Sequence, residues 1–260
     1  MEHGYDSMNT SLSAVIITYN AEGQLDACLT SLNLADEIIV LDSGSSDATQ
    51  KIAERHGAQF HHQEWLGYGA QKQAGVELAS HDWVLCIDAD EWLSKDLSAS
   101  IRTALEAPAQ QAYSFSRCNR FMGRWLRHGE GYPDISLRLF NRRHARWSDD
   151  PIHEKVIADC PVEKLEGDLM HESETSLEAY LEKQNRYTSL QAQQMYEQGR
   201  KAASGKLVFN PLFRFTRFYL FRLGFLDGLP GLIHISIGCF NTFMKYAKLM
   251  ALHQAGNKSA

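Results

Sequence analysis

The chain has 260 residues, 44% hydrophobic and 22% charged, with a formal net charge of −6. That composition is an ordinary globular one and sets aside a disordered chain; the length suits one large domain, or a domain with an appendage. Five cysteines (28, 86, 118, 160 and 239) are odd in number, widely spaced and free of any CxxC pair, which argues against a disulfide framework or zinc knuckle and suits a reducing cytosol.

In chain order, residues 1–11 ("MEHGYDSMNTS") are polar, lack the basic start and apolar core of a secretory leader, and are expected to be disordered. "SAVIITYN" (13–20) is β-branched and predicts a buried strand. Leu25, Cys28, Leu29 and Leu32 then recur at helical spacing. "EIIVLD" (37–42) predicts a second strand, and "SSDATQKIAERHG" a helix capped by Ser46 or Asp47 and stopped by Gly57. "AQFHHQ" is a weaker strand whose His61 and His62 suit a loop or sheet edge. "GAQKQAGVELAS" is another helix, and "WVLCID" (83–88) the strongest strand. Strand alternating with helix predicts an α/β domain with a mostly parallel central sheet and right-handed crossovers.

Beyond Ser100 the pattern loosens. "AYSFS" (112–116) and "ISLRLF" (135–140) are strands around a Gly- and Arg-rich loop. Residues 176–199 predict an amphipathic helix with Leu177, Tyr180, Leu181, Tyr187 and Leu190 near one face. Residues 207–253 are aromatic-rich and helical, broken near Gly228 to Gly231. The expected organisation is a catalytic domain over 12–175, divided at residue 100, and a C-terminal helical extension over 176–260.

Ligands of parallel open sheets sit beyond the carboxyl ends of the strands. Those ends carry "TYN" (18–20), "DSGSSD" (42–47) and "DADE" (88–91). The GxGxxG fingerprint and the Walker A loop are both absent, so dinucleotide and P-loop readings lose their main support. Asp88 and Asp90, two apart on a strand end, can address one site but repel each other unless a cation intervenes. Oxygen ligands point to Mg²⁺ or Mn²⁺, open to phosphate oxygens. The bland alternative makes these acids N-caps for the helix at "SKDLSASI". Haloacid dehalogenase phosphatases also use a DxD strand end, but on the first strand and with Thr or Val where this chain has Trp92.

"VIITYNAEGQLDACLTSL", "DEIIVLDSGSSDAT" and "GYGAQKQAGVELASHDWVLCIDADEWL" together resemble the family 2 inverting glycosyltransferases of GT-A fold, densely over residues 12 to about 95. The resemblance implies that Thr18, Asn20, Glu22 and Asp42 bind the nucleotide, with Lys72 near base or phosphates. Asp88 would then meet the sugar nucleotide and Asp90 the metal. Ala21 departs from the acid that many members carry after the Asn. Farther on, "PDISLRLFNRRHARW", "PIHEKV" and "LEGDLMHES" resemble a narrower branch, the lipopolysaccharide-core glucosyltransferases acting on heptose. That implies Glu154 as catalytic base, with Asp149 or Asp150 in reserve, and His171 as a further metal or diphosphate contact. The bland reading of Glu154 is a surface ion pair with Lys155 or an Arg. The implied reaction moves a hexose, glucose from UDP-glucose, onto the inner core. The alternatives are another donor, a polyprenyl-phosphate acceptor, or a silent sugar-nucleotide-binding scaffold.

Residues 117–146 contain eight Arg, no Lys and two acids, Glu130 and Asp134. The planar guanidinium fork suits phosphate and carboxylate. Arg120, Arg124 and Arg127 would therefore bind acceptor anions while Trp125 and Tyr132 stack on its sugars. RNA would favour a similar composition, but the acidic sheet edge would repel it, so no nucleic acid is expected. From Gln198 to Ala260 there are nine Lys or Arg and one acid, Asp227. With its Phe and Tyr, this basic tail is expected to lie on an anionic membrane, through Arg214, Arg217 and Arg222; the alternatives are packing on the catalytic domain or a homodimer interface. The expected location is cytoplasmic, peripheral on the inner membrane.

Overall fold

The structure, a computed structural model, describes residues 10–150, 154–172, 176–201 and 204–258; most of the N-terminus expected to be disordered lies outside them. The first apolar runs form strands β1 (Leu12–Thr18), β2 (Glu37–Asp42), β3 (Gln59–His62) and β4 (Trp83–Asp88). Helices α1 (Leu25–Thr30), α2 (Thr49–Arg55) and α3 (Tyr68–Leu78) connect them. Short β5 (Glu91–Leu93) leads into α4 (Lys95–Glu106). Then come β6 (Ala112–Phe121), β7 (Arg124–Trp125), β8 (Asp134–Asn141), β9 (Ala145–Trp147), β10 (Val156–Ala158) and β11 (Val162–His171). The sheet order is β3-β2-β1-β4-β8-β6-β11-β5, with β7 paired to β6; β9 and β10 form a separate hairpin. The expected α/β architecture holds. Its parallel strands are β1 to β4, and the later strands pair antiparallel to their neighbours β4–β8, β8–β6 and β11–β5.

Both faces of the parallel half are covered, which explains why its strands read as continuous apolar runs rather than alternating ones. Ala14, Ile16, Leu85 and Ile87 pack on one side with Leu25, Cys28, Leu29 and Leu32 of the α1 region. Val15, Val84 and Cys86 face the other side with Val76 of α3. Register sets the polar strand ends abreast: Thr18 opposes Asp42, and Ile17 opposes both Leu41 and Asp88. At the far end of these strands Glu37 is a tether. Its carboxylate accepts from Ser13 Oγ of β1 (2.6 Å), Gln59 Nε2 of β3 (3.0 Å) and Ser80 N (2.8 Å) and Oγ (2.7 Å) before β4. Burial alone would raise this carboxyl, and the hydrogen bonds from Ser13 and Ser80 outweigh it, so it stays below the usual range.

Two details differ from expectation. Helix α2 has Ala48 at its N-cap, and Asp47 accepts from Thr49 N (3.0 Å) in the turn before it. Helix α4 is capped by Ser94, whose Oγ accepts from Leu97 N at 3.2 Å, so the capping alternative for Asp88 and Asp90 falls away.

The chain divides into two compact units. One runs to Arg117 and resumes over Asp134–His171; the other joins Cys118–Pro133 to everything from Glu172 onward. Residues 118–133, which include the end of β6 and all of β7, thus belong with the C-terminal helices. In that second unit α5 (Leu177–Glu197), α6 (Gly205–Phe215) and α7 (Gly228–Lys258) are joined by a π-helical turn at Thr216–Phe221 and a 3₁₀ turn at Gly224–Asp227. The break precedes Gly228. Helix α5 buries only part of the expected face: Tyr180 packs beside Phe121, but Leu177, Leu181 and Leu190 are exposed, and Ala192 and Met195 pack with Leu249 of α7. Periodicity finds an apolar stripe, but the face that meets α7 carries Thr188, Ala192 and Met195. No single helix among the described residues is long and apolar enough to cross a membrane.

Candidate active site

The loops after β1 and β2 interlock. Asp42, 2% exposed, accepts from Thr18 Oγ1 (2.8 Å) and Ser45 Oγ (2.5 Å) through Oδ1, and from Gly44 N (2.8 Å) and Ser45 N (2.7 Å) through Oδ2. Burial would raise its carboxyl; the Ser45, Thr18 and Gly44 donors outweigh that and hold it below the usual range. Its lone pairs are spent on shaping this loop. Asn20 turns the chain with φ 49°, a conformation Asn tolerates, and its Oδ1 accepts from Ser46 N at 2.9 Å. Glu22 accepts from Ala48 N at 2.9 Å. Thr18, Asn20, Glu22 and Asp42 are thus brought together, as a scaffold of backbone turns beyond the first two strands.

Asp88 ends β4 and already has positive partners. Lys72 Nζ, reaching down from α3, lies 2.9 Å from Asp88 Oδ1, and Arg138 Nη2, from β8, lies 3.1 Å from Oδ2. Burial would raise the Asp88 carboxyl, and Lys72 and then Arg138 pull it well below the usual range. Arg138 also sits 3.3 Å from Glu91 Oε1, and Arg117 Nη1 is 3.2 Å from that oxygen. Fully buried Glu91 closes the turn by accepting from Asp88 N at 2.9 Å. The Trp147 ring packs against both cations, 4.7 Å from Lys72 Nζ and 5.4 Å from the Arg138 guanidinium. Burial would lower Arg138, but Glu91 and Asp88 outweigh it and keep it charged. Its Nη1 is buried without a hydrogen-bond partner among the described residues.

Lys72 also reaches Glu154 Oε1 at 3.8 Å, so the expected base and the strand-end acid share one buried ammonium. The surface-pair alternative for Glu154 therefore fails: its cation is Lys72, 4% exposed. Gly69, one turn before Lys72, permits this approach. A Cβ there would lie 2.3 Å from Ser148 O and 3.3 Å from Glu154 Cβ. Asp149 and Asp150 are exposed, and Asp149 pairs only loosely with Arg146 at 3.5 Å.

Asp90 is placed differently. The antiparallel pairing of β11 with β5 sets His171 opposite Glu91, and His171 Nε2 lies 3.2 Å from Asp90 Oδ2. Both side chains are partly exposed. A carboxylate oxygen beside an imidazole nitrogen is a donor pair that Mg²⁺ or Mn²⁺ accepts when phosphate oxygens and water complete the shell. No group of three or more His, Cys, Asp or Glu among the described residues would hold an ion unaided. The residues fit a metal shared with a ligand.

The expected acceptor residues all fall in the second unit. Arg120 pairs with Glu172 at 2.5 Å and lies 5.6 Å from the Trp125 ring. Arg124 Nη2 donates to Leu226 O (2.9 Å), Arg127 N to Asp227 Oδ2 (3.0 Å), and Tyr132 O accepts from Arg222 Nη2 (3.0 Å). Arg214, expected at lipid head groups, is instead paired with Glu130.

The sequence marked Glu91 as a strand-end acid and Trp147 as an aromatic among the arginines, but not the cluster that joins them to Arg138 and Arg117. One signal was available: Arg138 sits between Leu137 and Leu139 in an interior strand and shares its face with Phe140, a position that demands a buried counter-ion.

The family model described as Glycosyl transferase family 2 matches residues 13–158. The chain is 32% identical to the lipopolysaccharide core biosynthesis glycosyltransferase LpsC of Rhizobium meliloti, over 93% of each chain. It is 30% identical to an uncharacterized glycosyltransferase of Rickettsia bellii, covering 94% of this chain and 88% of that one. Among solved structures, residues 1–349 of S. aureus TarS align with 95% of this chain and 92% of that one, at 14% identity and a TM-score of 0.47.

Proposed function

The chain belongs to glycosyl transferase family 2, and we propose that within it the protein is an inverting, metal-dependent hexosyltransferase. In this reading it moves glucose from UDP-glucose onto the inner core of lipopolysaccharide, on the cytoplasmic face of the inner membrane. The likeness to LpsC along nearly the whole chain supports the core acceptor. The observation that carries the catalytic assignment is the Lys72 ammonium, 2.9 Å from Asp88 and 3.8 Å from Glu154, which ties the nucleotide-facing strand end to the base.

Each residue then has a task. The turns braced by Asp42, Asn20 and Glu22 receive the nucleoside. Asp88, fixed between Lys72 and Arg138, is a rigid carboxylate acceptor for sugar hydroxyls. Asp90 and His171 would hold Mg²⁺ or Mn²⁺, which neutralises the departing diphosphate so that the leaving group needs no proton. Glu154 removes the proton from the acceptor hydroxyl as it attacks the anomeric carbon from the face opposite the diphosphate, and a single in-line displacement inverts the centre. One carboxylate base suffices, whereas a glycosidase generally uses two carboxylates.

Glu154→Gln keeps the shape and removes the base. It should bind UDP as the parent does and lose about 10²–10⁴-fold in transfer rate to isolated core oligosaccharide. Undiminished turnover would remove Glu154 from the reaction. A screen of sugar nucleotides for metal-stimulated hydrolysis identifies the donor, with UDP-glucose expected to lead.

A further inference from the structure

Exposed apolar side chains of the second unit run along α6 and through the bend that follows it. The segments Gly205–Phe221 and Gly224–Ala255 meet at 74°, and neither alone is long and apolar enough to span a bilayer. Around that bend Phe209, Leu212, Phe213, Phe221, Phe225 and Leu229 are open to solvent, with Phe221 81% and Phe209 70% exposed. Apolar area on this scale marks an interaction surface. The exposed charges on the segments beside the bend, Lys206 and Arg217, are positive. The only acid between Gln198 and Ala260 is Asp227, which is 2% exposed and occupied by the backbone N–H groups of Arg127 (3.0 Å) and His128 (2.8 Å). Lys206 and Arg217 are exposed, while Arg214 is neutralised by Glu130.

We propose that this bend is a wedge that inserts into the interface of an anionic lipid bilayer. Rings and aliphatic tips enter the acyl boundary, and Lys206 and Arg217 meet the head groups. A second copy of the chain fits less well, because a symmetric pairing would bring its acid-free basic rims together. The wedge also has a cargo. Gly129 N donates to Arg222 O (2.8 Å), Arg222 to Tyr132 O, Arg124 to Leu226 O, and Asp227 holds Arg127 and His128. The Arg- and Trp-bearing loop 118–133 is thereby fastened to the bend. An inserted wedge sets that loop at head-group height, where the sugars of a lipid-anchored acceptor emerge. This last step rests on the proposed function; the membrane contact does not.

The test is flotation of the full chain with phosphatidylglycerol-containing vesicles and with pure phosphatidylcholine vesicles, without donor or acceptor. The parent chain should float with the anionic vesicles, less at high salt, and poorly with neutral ones. Phe209→Ser, Phe213→Ser and Phe221→Ser together should lower the bound fraction about tenfold or more, because each removes an exposed ring that insertion would take out of water. Melting temperature and UDP affinity should stay as in the parent. Lys206→Glu with Arg217→Glu should weaken binding to anionic vesicles only. If the triple variant floats like the parent, or the parent ignores vesicles and the triple variant instead converts a dimer to a monomer by light scattering, the wedge is wrong. Retained flotation alongside absent sugar transfer would overturn the enzymatic reading alone.

Discussion

Asp88 and Asp90 were legible as a pair of acids at a strand end, yet they turn out to have separate fates. Asp88 is held by Lys72 from 16 residues upstream and Arg138 from 50 downstream, whereas Asp90 faces His171. Nothing in the local i, i+2 spacing could reveal cations delivered by a helix and a distant antiparallel strand. The family resemblance marked Lys72 and Glu154 but not the contact between them, which depends on the close approach at Gly69. Removing the ammonium tests this wiring. Lys72→Met should cost about 2 kcal/mol of stability. That is less than the roughly 3–5 kcal/mol of breaking a fully buried pair, because Asp88 keeps Arg138 and a side chain 26% open to water. Chemical denaturation measures it; an unchanged midpoint would mean that the pair contributes nothing to the fold.

At the scale of elements, the β-branched runs named β1, β2 and β4 to within a residue or two, since two-faced burial leaves a strong apolar signal. The long helix α5 was found but its buried face was not, because Thr188, Ala192 and Met195 are chosen by what α7 offers rather than by hydropathy. The tether of β1, β3 and the turn before β4 to Glu37 was equally invisible, being built from serines and a glutamine. It makes a pH prediction. The folded Glu37 carboxyl lies below the ordinary glutamate value of about 4.3, so its contribution is complete above that value and is lost as pH falls through the depressed folded one. Glu37→Gln should therefore be less stable than the parent at pH 7 by about 1–3 kcal/mol, and the gap should narrow as pH falls below the ordinary glutamate value of about 4.3. A gap that stays constant, or widens on acidification, would show that the carboxylate charge is not what ties these strands.

For the whole molecule, fold class was readable because apolar strands alternating with helices dictate a parallel sheet. The assignment of residues 118–133 to the C-terminal helices was not readable, because a loop's allegiance is decided by long-range contacts such as Glu130 with Arg214 and Asp227 with His128. We propose above all that the carboxyl edge of β1, β2 and β4 grips a nucleoside diphosphate through a divalent ion held by Asp90 and His171. Titration calorimetry of UDP binding, with Mn²⁺ and with chelator, on the parent chain and on Asp90→Ala, tests it most directly. The parent should bind about tenfold or more tightly with the ion, some 1.4 kcal/mol, and Asp90→Ala should bind weakly in both. Equal parent affinities with and without Mn²⁺, or an Asp90→Ala chain that keeps the full enhancement, would contradict it.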